Sequence, residues 1–192
     1  MVSWITNNFW IKVIALILAL VTWFYVNEEL IKDIEILKPR FVGISMNIVT
    51  SEPGYRLCQI LKKRENSPKI ILGGVTATTN PEICLQRSKA DVLVIGEGED
   101  TLLELMRREC SGNGSYKDVS GIAFNDKSKA IVTSPRDRMR DLDSLPLPAY
   151  DLLPPLANYK SRARGFPVGS IFTSRGCPYS CIFCNKSVFG KQ

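Results

Sequence analysis

The sequence predicts an α/β fold, a Rossmann-like (flavodoxin-like) parallel sheet wound with helices on both faces, and three observations carry that prediction. Three short, continuous apolar runs stand out: Phe41 to Met46, Lys69 to Leu72 and Asp91 to Ile95. Runs without polar alternation are what strands buried on both faces look like. Segments of helical periodicity separate them, as βαβ units require. Each run ends in small or polar residues, namely Ser45 with Asn47, Gly73-Gly74, and Gly96-Glu97-Gly98-Glu99. In open α/β sheets, ligands bind beyond the carboxyl ends of the strands.

The first element is of another kind. Residues 9–26 form an apolar stretch broken only by Lys12 and Thr22, with Trp4, Trp10, Trp23 and Tyr25 near its ends. That length reaches the lower limit for spanning a bilayer, and aromatic residues suit both interfaces. Residues 1–27 are therefore predicted to be a membrane-anchor helix, with the membrane contacted through residues 9–26. A cleaved signal peptide is disfavoured because Asn27-Glu28-Glu29 offers no small-x-small site. Lys32, Lys38 and Arg40 follow the stretch, which places the α/β part in the cytoplasm. The alternative localisation is cytoplasmic without an anchor.

The α/β domain is predicted over residues 28–115. Leu30, Ile31, Ile34 and Leu37 lie at helical spacing until Pro39 ends the helix. Further helices are predicted at about Tyr55 to Glu65, Pro81 to Ser88 and Asp100 to Cys110, the last capped by Asp100 or Thr101. Residues 116–160 form a hairpin and linker. Gly121 to Phe124 and Ala130 to Thr133 flank Asn125-Asp126-Lys127-Ser128, a β-hairpin pattern. Leu145 to Pro155 is proline-rich and extended, and the basic residues Arg136 to Arg140 read as a solvated linker.

With 192 residues and 45% hydrophobic content, the chain suffices for one α/β domain and a fragment of another. Its net charge of +6 is scattered rather than gathered into a stripe, so no nucleic-acid partner is expected. Neither a GxGxxG nor a GxxxxGK[ST] run is present, which disfavours dinucleotides and nucleoside triphosphates.

Cys177, Cys181 and Cys184 fall in the run Thr-Ser-Arg-Gly-Cys-Pro-Tyr-Ser-Cys-Ile-Phe-Cys. Three soft thiolates from one tight loop suit an iron-sulfur cube with three protein-bound irons and one open iron. Zinc is the alternative. Structural zinc takes four Cys or His ligands, the chain has no histidine, and a fourth ligand would have to be Cys58, Cys84 or Cys110. Those three stand singly in helical segments and read as small buried apolar residues.

With Phe183 before the last cysteine, the triplet resembles the signature of the radical S-adenosylmethionine (SAM) enzymes. The pieces Lys-Pro-Arg-Phe-Val-Gly-Ile-Ser, Ile-Ile-Leu-Gly-Gly and Val-Ile-Gly-Glu-Gly-Glu come in that order, followed by Val119 to Ala123 and Asp141 to Pro148. Together they resemble the cobalamin (B12)-binding domain that precedes the radical SAM core in the class B family, over about residues 29–190. The resemblance implies that Ser45, Gly73 and Gly74 line a groove for the cobalamin nucleotide tail, with Gly96, Glu97 and Gly98 at the next strand end. It implies that Cys177, Cys181 and Cys184 hold a [4Fe-4S] cluster whose open iron chelates S-adenosylmethionine, with Phe183 near the adenine. A ferredoxin- or flavodoxin-type protein would then supply low-potential electrons. The chemistry implied is radical: methyl transfer, methylthiolation or oxidative cyclisation, on an unknown substrate.

Val168 to Thr173 reads as the first strand of the radical SAM barrel, so residues 161–192 are expected to be the start of that domain, packed loosely on the first. Most of the catalytic barrel is missing from the sequence, so the chain is expected to be an N-terminal part, inactive alone. Three features depart from the family pattern: the apolar stretch stands where a first βαβ portion is usual, no histidine can reach cobalt, and Val75-Thr76 replaces a frequent Pro-His. The segment Asn7 to Leu20 also resembles the N-terminal anchor of YbbR-domain proteins. The alternative function is therefore a membrane-anchored, non-enzymatic cobalamin- or metal-binding module.

Overall fold

The computed structural model describes residues 30–112, 115–127, 129–153, 155, 174–184 and 188. Five strands form one sheet in the order β1 (Phe41–Ser45), β2 (Lys69–Gly73), β3 (Val92–Val94), β4 (Ile122–Asp126) and β5 (Lys129–Val132). The first three are parallel, as the apolar runs predict; β4 and β5 are the predicted hairpin. The hairpin does not stand apart, because β4 pairs antiparallel with β3 and makes the sheet mixed. Strand order follows chain order, so the described strands contain no reversal of winding.

Residues 30–37 are helical, and four helices follow: α1 (Ser51–Lys62), α2 (Val75–Thr79), α3 (Pro81–Ser88) and α4 (Glu99–Cys110). Helix α1 begins four residues earlier than the sequence suggests. Pro53 lies in its first turn, where a missing N–H costs no helical hydrogen bond. Gly54 lets that turn press on Met46; a Cβ there would lie 2.3 Å from the Met46 sulfur. Helix α2 has no periodic signal in Val-Thr-Ala-Thr-Thr. It closes because the Thr78 and Thr79 hydroxyls donate to the carbonyls of Gly74 and Val75, four residues back. In the helix at 30–37 only Ile31 and Ile34 pack on the core; Leu30 and Leu37 are exposed.

The pleat divides the core. One face sets Ile70, Leu72, Leu93 and Ala123 against Leu57, Cys58 and Leu61 of α1, Ala77 of α2 and Cys84 and Leu85 of α3. The other sets Ile71, Val92, Val94, Ile122 and Phe124 against Leu105 of α4 and Val119. Cys58 and Cys84 are buried as expected, and burial pushes the Cys58 thiol up to about 12, so it stays protonated and inert. Cys110 corrects the sequence reading, since it is exposed at the end of α4.

At the amino ends of the strands, Lys69 Nζ bonds both oxygens of Glu109 at 2.7 Å, and the Tyr116 hydroxyl donates to the same carboxylate. Burial alone would raise the Glu109 carboxyl, but Lys69 and Tyr116 outweigh it and hold the group below the usual carboxylate range. A depressed folded-state pKa gives stability that is present above the unfolded value of about 4.3 and lost as pH falls through the lower folded value. Glu109→Gln is expected to be less stable at neutral pH and to lose less on acidification below about pH 4.3. Urea unfolding of both proteins across that range checks it.

The linker is less solvated than its charge suggests. Arg136 donates to the buried Thr101 hydroxyl at 2.8 Å and pairs with Glu104, fastening the segment after β5 to α4. Short 3-10 turns at Leu142–Ser144 and Tyr150–Leu152 interrupt the extended connector. No helix of the described residues is long and apolar enough to cross a membrane. The anchor reading at 1–27 and the barrel strand at 168–173 lie outside the described residues.

Candidate functional site

A groove of about 460 Å³ opens at the carboxyl ends of β1, β2 and β3, on the face that α4 covers. The register explains it. Ser45 pairs with Gly73, and Gly43 pairs with Ile71, on adjacent strands. Side chains two apart share a face, so Gly43, Ser45, Ile71 and Gly73 turn toward the α4 side. Three of those four positions carry a hydrogen or a short hydroxymethyl, and the sheet surface is left bare where larger residues would fill it. A Cβ placed on Gly43 or Gly73 would touch nothing within 4 Å. Ile71, Val94 and Leu102 give the groove apolar walls, and Ile44 and Leu72, whose side chains pack on the opposite face, border it along the strands. Gly74, Gly96, Gly98 and Glu99 form its rim at the strand ends.

The turns that build this rim are stitched to one another. Met46 N–H donates to the Gly73 carbonyl at 2.9 Å, and Thr76 N–H donates to the Met46 carbonyl at 3.3 Å. Thr78 then bridges the next pair, accepting from Gly96 N–H at 3.0 Å and donating to the Gly74 carbonyl at 3.0 Å. Gly74 has a φ of +91°, and a Cβ there would lie 2.5 Å from the Met46 carbonyl oxygen. Only glycine satisfies both the left-handed backbone and that approach.

Of the residues singled out from the sequence, Ser45, Gly73, Gly74, Gly96 and Gly98 line the groove. Glu97 does not. Its carboxylate accepts from Met139 N–H at 2.9 Å and lies 3.8 Å from Arg175. Asn47 serves its own loop instead, accepting from Val49 N–H and Thr50 N–H in an Asx turn. Helix α4 starts at Glu99 with Gly98 as N-cap, so neither Asp100 nor Thr101 caps it. Burial would raise the Glu99 carboxyl, but Arg175 and the backbone N–H groups of Glu99 and Gly98 hold it below the usual range.

Gly43, Leu102 and Thr78 escaped the sequence reading. A glycine inside an apolar strand run is a known mark of close backbone approach, and it was the available signal for Gly43. Thr78 has none, because its partner Gly96 is 18 residues away.

Cys177 is half-buried, Cys181 and Cys184 are exposed, and none of the three is in a disulfide. Cys184 N–H donates to the Cys181 carbonyl at 3.2 Å, closing a turn between two of them. Among the described residues no three Cys, His, Asp or Glu side chains are gathered in a way that could hold a metal ion. Phe183 is 90% exposed and is not among the residues that line the groove.

The family model for the B12 binding domain matches residues 10–106. That span includes residues 10–26 of the apolar stretch. An uncharacterized methyltransferase of Pyrococcus horikoshii is 34% identical over 167 residues, covering 86% of this chain and 36% of that protein. The cobalamin-dependent radical SAM methyltransferase TokK of Streptomyces tokunonensis is 27% identical, over 78% of this chain and 22% of that one. The chain thus spans about a third or less of the length of these relatives. The cobalamin-dependent S-adenosylmethionine radical enzyme OxsB, solved with aqua-cobalamin and S-adenosylmethionine, superposes with a TM-score of 0.69 at 22% identity, covering 86% of this chain and 22% of that one. The radical S-adenosylmethionine methyltransferase TsrM of Kitasatospora setae gives 0.55 at 18% identity, over 79% of this chain and 31% of that one. These two likenesses establish the α/β fold.

Proposed function

The chain belongs to the B12-binding domain family, and from that premise we propose that its groove receives the nucleotide tail of a cobalamin, in a protein that performs radical SAM methyl transfer. The observation that carries this reading is the bare sheet surface at Gly43, Ser45 and Gly73 beside the close turn at Gly74. The residues present fit such a ligand. An elongated, partly aromatic tail needs an open floor, apolar walls and few polar points, and the groove offers glycines, Ile71, Val94 and Leu102, the Ser45 hydroxyl, and at its rim the Glu99 carboxylate paired with Arg175. No histidine exists to ligate cobalt, so the chain's contribution is to hold the tail and shield it from water. Bound cobalamin would supply a carrier for the methyl group.

Cys177, Cys181 and Cys184 would hold a [4Fe-4S] cluster that binds S-adenosylmethionine, reduced by a ferredoxin- or flavodoxin-type donor. The donor set fits by its chemistry, three soft thiolates on one loop. Methyl transfer is placed first because the 34% identical relative is named a methyltransferase; anaerobic magnesium-protoporphyrin IX monomethyl ester cyclases and a putative methylthiotransferase match at 27–33% identity, so cyclisation and methylthiolation are the alternatives. None of the six cysteines is in a disulfide, which suits a reducing cytoplasm.

The test is anaerobic reconstitution of the chain with iron, sulfide and hydroxocobalamin, followed by gel filtration. One cobalamin and about four irons and four sulfides per chain are expected. Cys181→Ala is expected to lose the iron and keep the cobalamin. Failure to retain cobalamin would sink the groove assignment, and one zinc without sulfide would sink the cluster assignment.

A further inference from the structure

Arg175 sits two residues before Cys177, and its guanidinium reaches back to the turn between β3 and α4. Nη1 lies 3.8 Å from Glu97 Oε1, and Nη2 bonds Glu99 Oε1. The two carboxylates belong to the same short turn, and neither is loose. The other oxygen of Glu97 takes the Met139 N–H at 2.9 Å, and Glu99 is the first residue of α4. Gly96, one residue before Glu97, is held by Thr78 at 3.0 Å. The side chains of Arg175 and Glu97 are 21% and 12% exposed. Charges this far out of water are weakly screened, and removal of the cation would strand a nearly buried carboxylate.

Glu99 also lines the groove. The same turn therefore forms part of the groove wall and receives the arginine of the cysteine loop. A planar guanidinium can engage two carboxylates at once; a lysine ammonium offers a point charge without that fork.

We infer that Arg175 is a positioning residue that fastens the loop of Cys177, Cys181 and Cys184 to the Glu97–Glu99 turn at the rim of the groove. The inference rests on the reading of those cysteines as cluster ligands for its consequence, which is that groove and cluster loop share one rigid support. It does not rest on that reading for its test. The groups facing Arg175 from the turn are acidic, so the tie is electrostatic and direct rather than a product of general packing.

The experiment uses the full chain without cluster and measures the alkylation rate of each cysteine by N-ethylmaleimide, read by peptide mass spectrometry. Arg175→Ala is expected to speed Cys177 about three- to tenfold, in the lower part of the range that couplings between contacting residues span. Arg175→Lys is expected to fall between wild type and Arg175→Ala. Glu97→Gln is also expected to speed Cys177, and the Arg175→Ala, Glu97→Gln double variant is expected to react no faster than Arg175→Ala alone. Cys58 and Cys84, buried in the core, are expected to stay protected throughout, which separates release of the loop from unfolding. An unchanged Cys177 rate in Arg175→Ala would overturn the inference, as would independent, multiplicative effects in the double variant. A chain that retains no cobalamin but shows the coupled alkylation pattern would refute the proposed function and leave the tie standing.

Discussion

Gly73→Val is expected to weaken cobalamin binding about 100-fold, equivalent to roughly 2.7 kcal/mol, while leaving the chain folded. The reason is the register. Gly73 lies beside Ser45 on the bare face of the sheet, and a Cβ there meets nothing within 4 Å, so the added side chain enters the groove and no other space. The backbone at Gly73 has no left-handed requirement, and a β-branched residue suits a strand better than glycine by about 0.5–1 kcal/mol. Thermal stability is therefore expected to hold or rise as binding falls. A titration of wild type and variant with hydroxocobalamin, followed by absorbance, together with melting curves for both, checks the two halves of the expectation. A variant that binds as wild type does would show that the tail, or the ligand, lies elsewhere.

The neighbouring glycine is expected to behave in the opposite way. Gly74→Ala should destabilise the domain by about 3 kcal/mol or more. The backbone of Gly74, at φ 91° and ψ −174°, lies in a region open essentially to glycine alone, which costs an ordinary residue about 1–3 kcal/mol. The methyl group would also lie 2.5 Å from the Met46 carbonyl oxygen and 2.9 Å from its nitrogen. Backbone cannot yield there without breaking the Met46-to-Gly73 hydrogen bond that joins the two strand-end turns. For a domain of this size such a loss lowers the melting temperature by about 10 °C or more. Two adjacent glycines thus separate the two uses of the residue: one keeps a space open for a ligand, the other lets the backbone close on itself. Differential scanning calorimetry of the two variants tests this contrast.

The difference between what was legible in the sequence and what was not has a physical basis. Val92 to Val94 and Lys69 to Gly73 announce themselves because parallel strands covered on both faces are apolar without alternation. Ser45, Gly73, Gly74 and Gly96 were found because a βα turn places small residues where a ligand can approach. Helix α2 was hidden because its threonines close it with their side chains rather than by propensity. The early start of α1 was hidden because Pro53-Gly54 reads as a break until Met46 is seen packed on the glycine. Pairing of the hairpin to β3 is also invisible locally, since antiparallel addition at that edge depends on the exposed backbone of β3 and not on any residue in the turn. The ties of Arg136 to α4 and of Arg175 to Glu97 and Glu99 join residues more than thirty positions apart; charge marked the first segment as a solvated linker, and an incomplete barrel marked the second as loosely packed.

We propose that the groove recognises the nucleotide tail and not the corrin ring. Cobinamide shares the corrin and the cobalt with cobalamin and lacks the nucleotide, so the most direct measurement is the affinity of the chain for the two, compared by equilibrium dialysis. A groove floored by Gly43 and Gly73 and closed by the Gly74 turn should bind cobalamin at least about 100-fold more tightly than cobinamide, with the difference largely abolished in Gly73→Val. Equal affinity for the two in the wild-type chain would contradict the account.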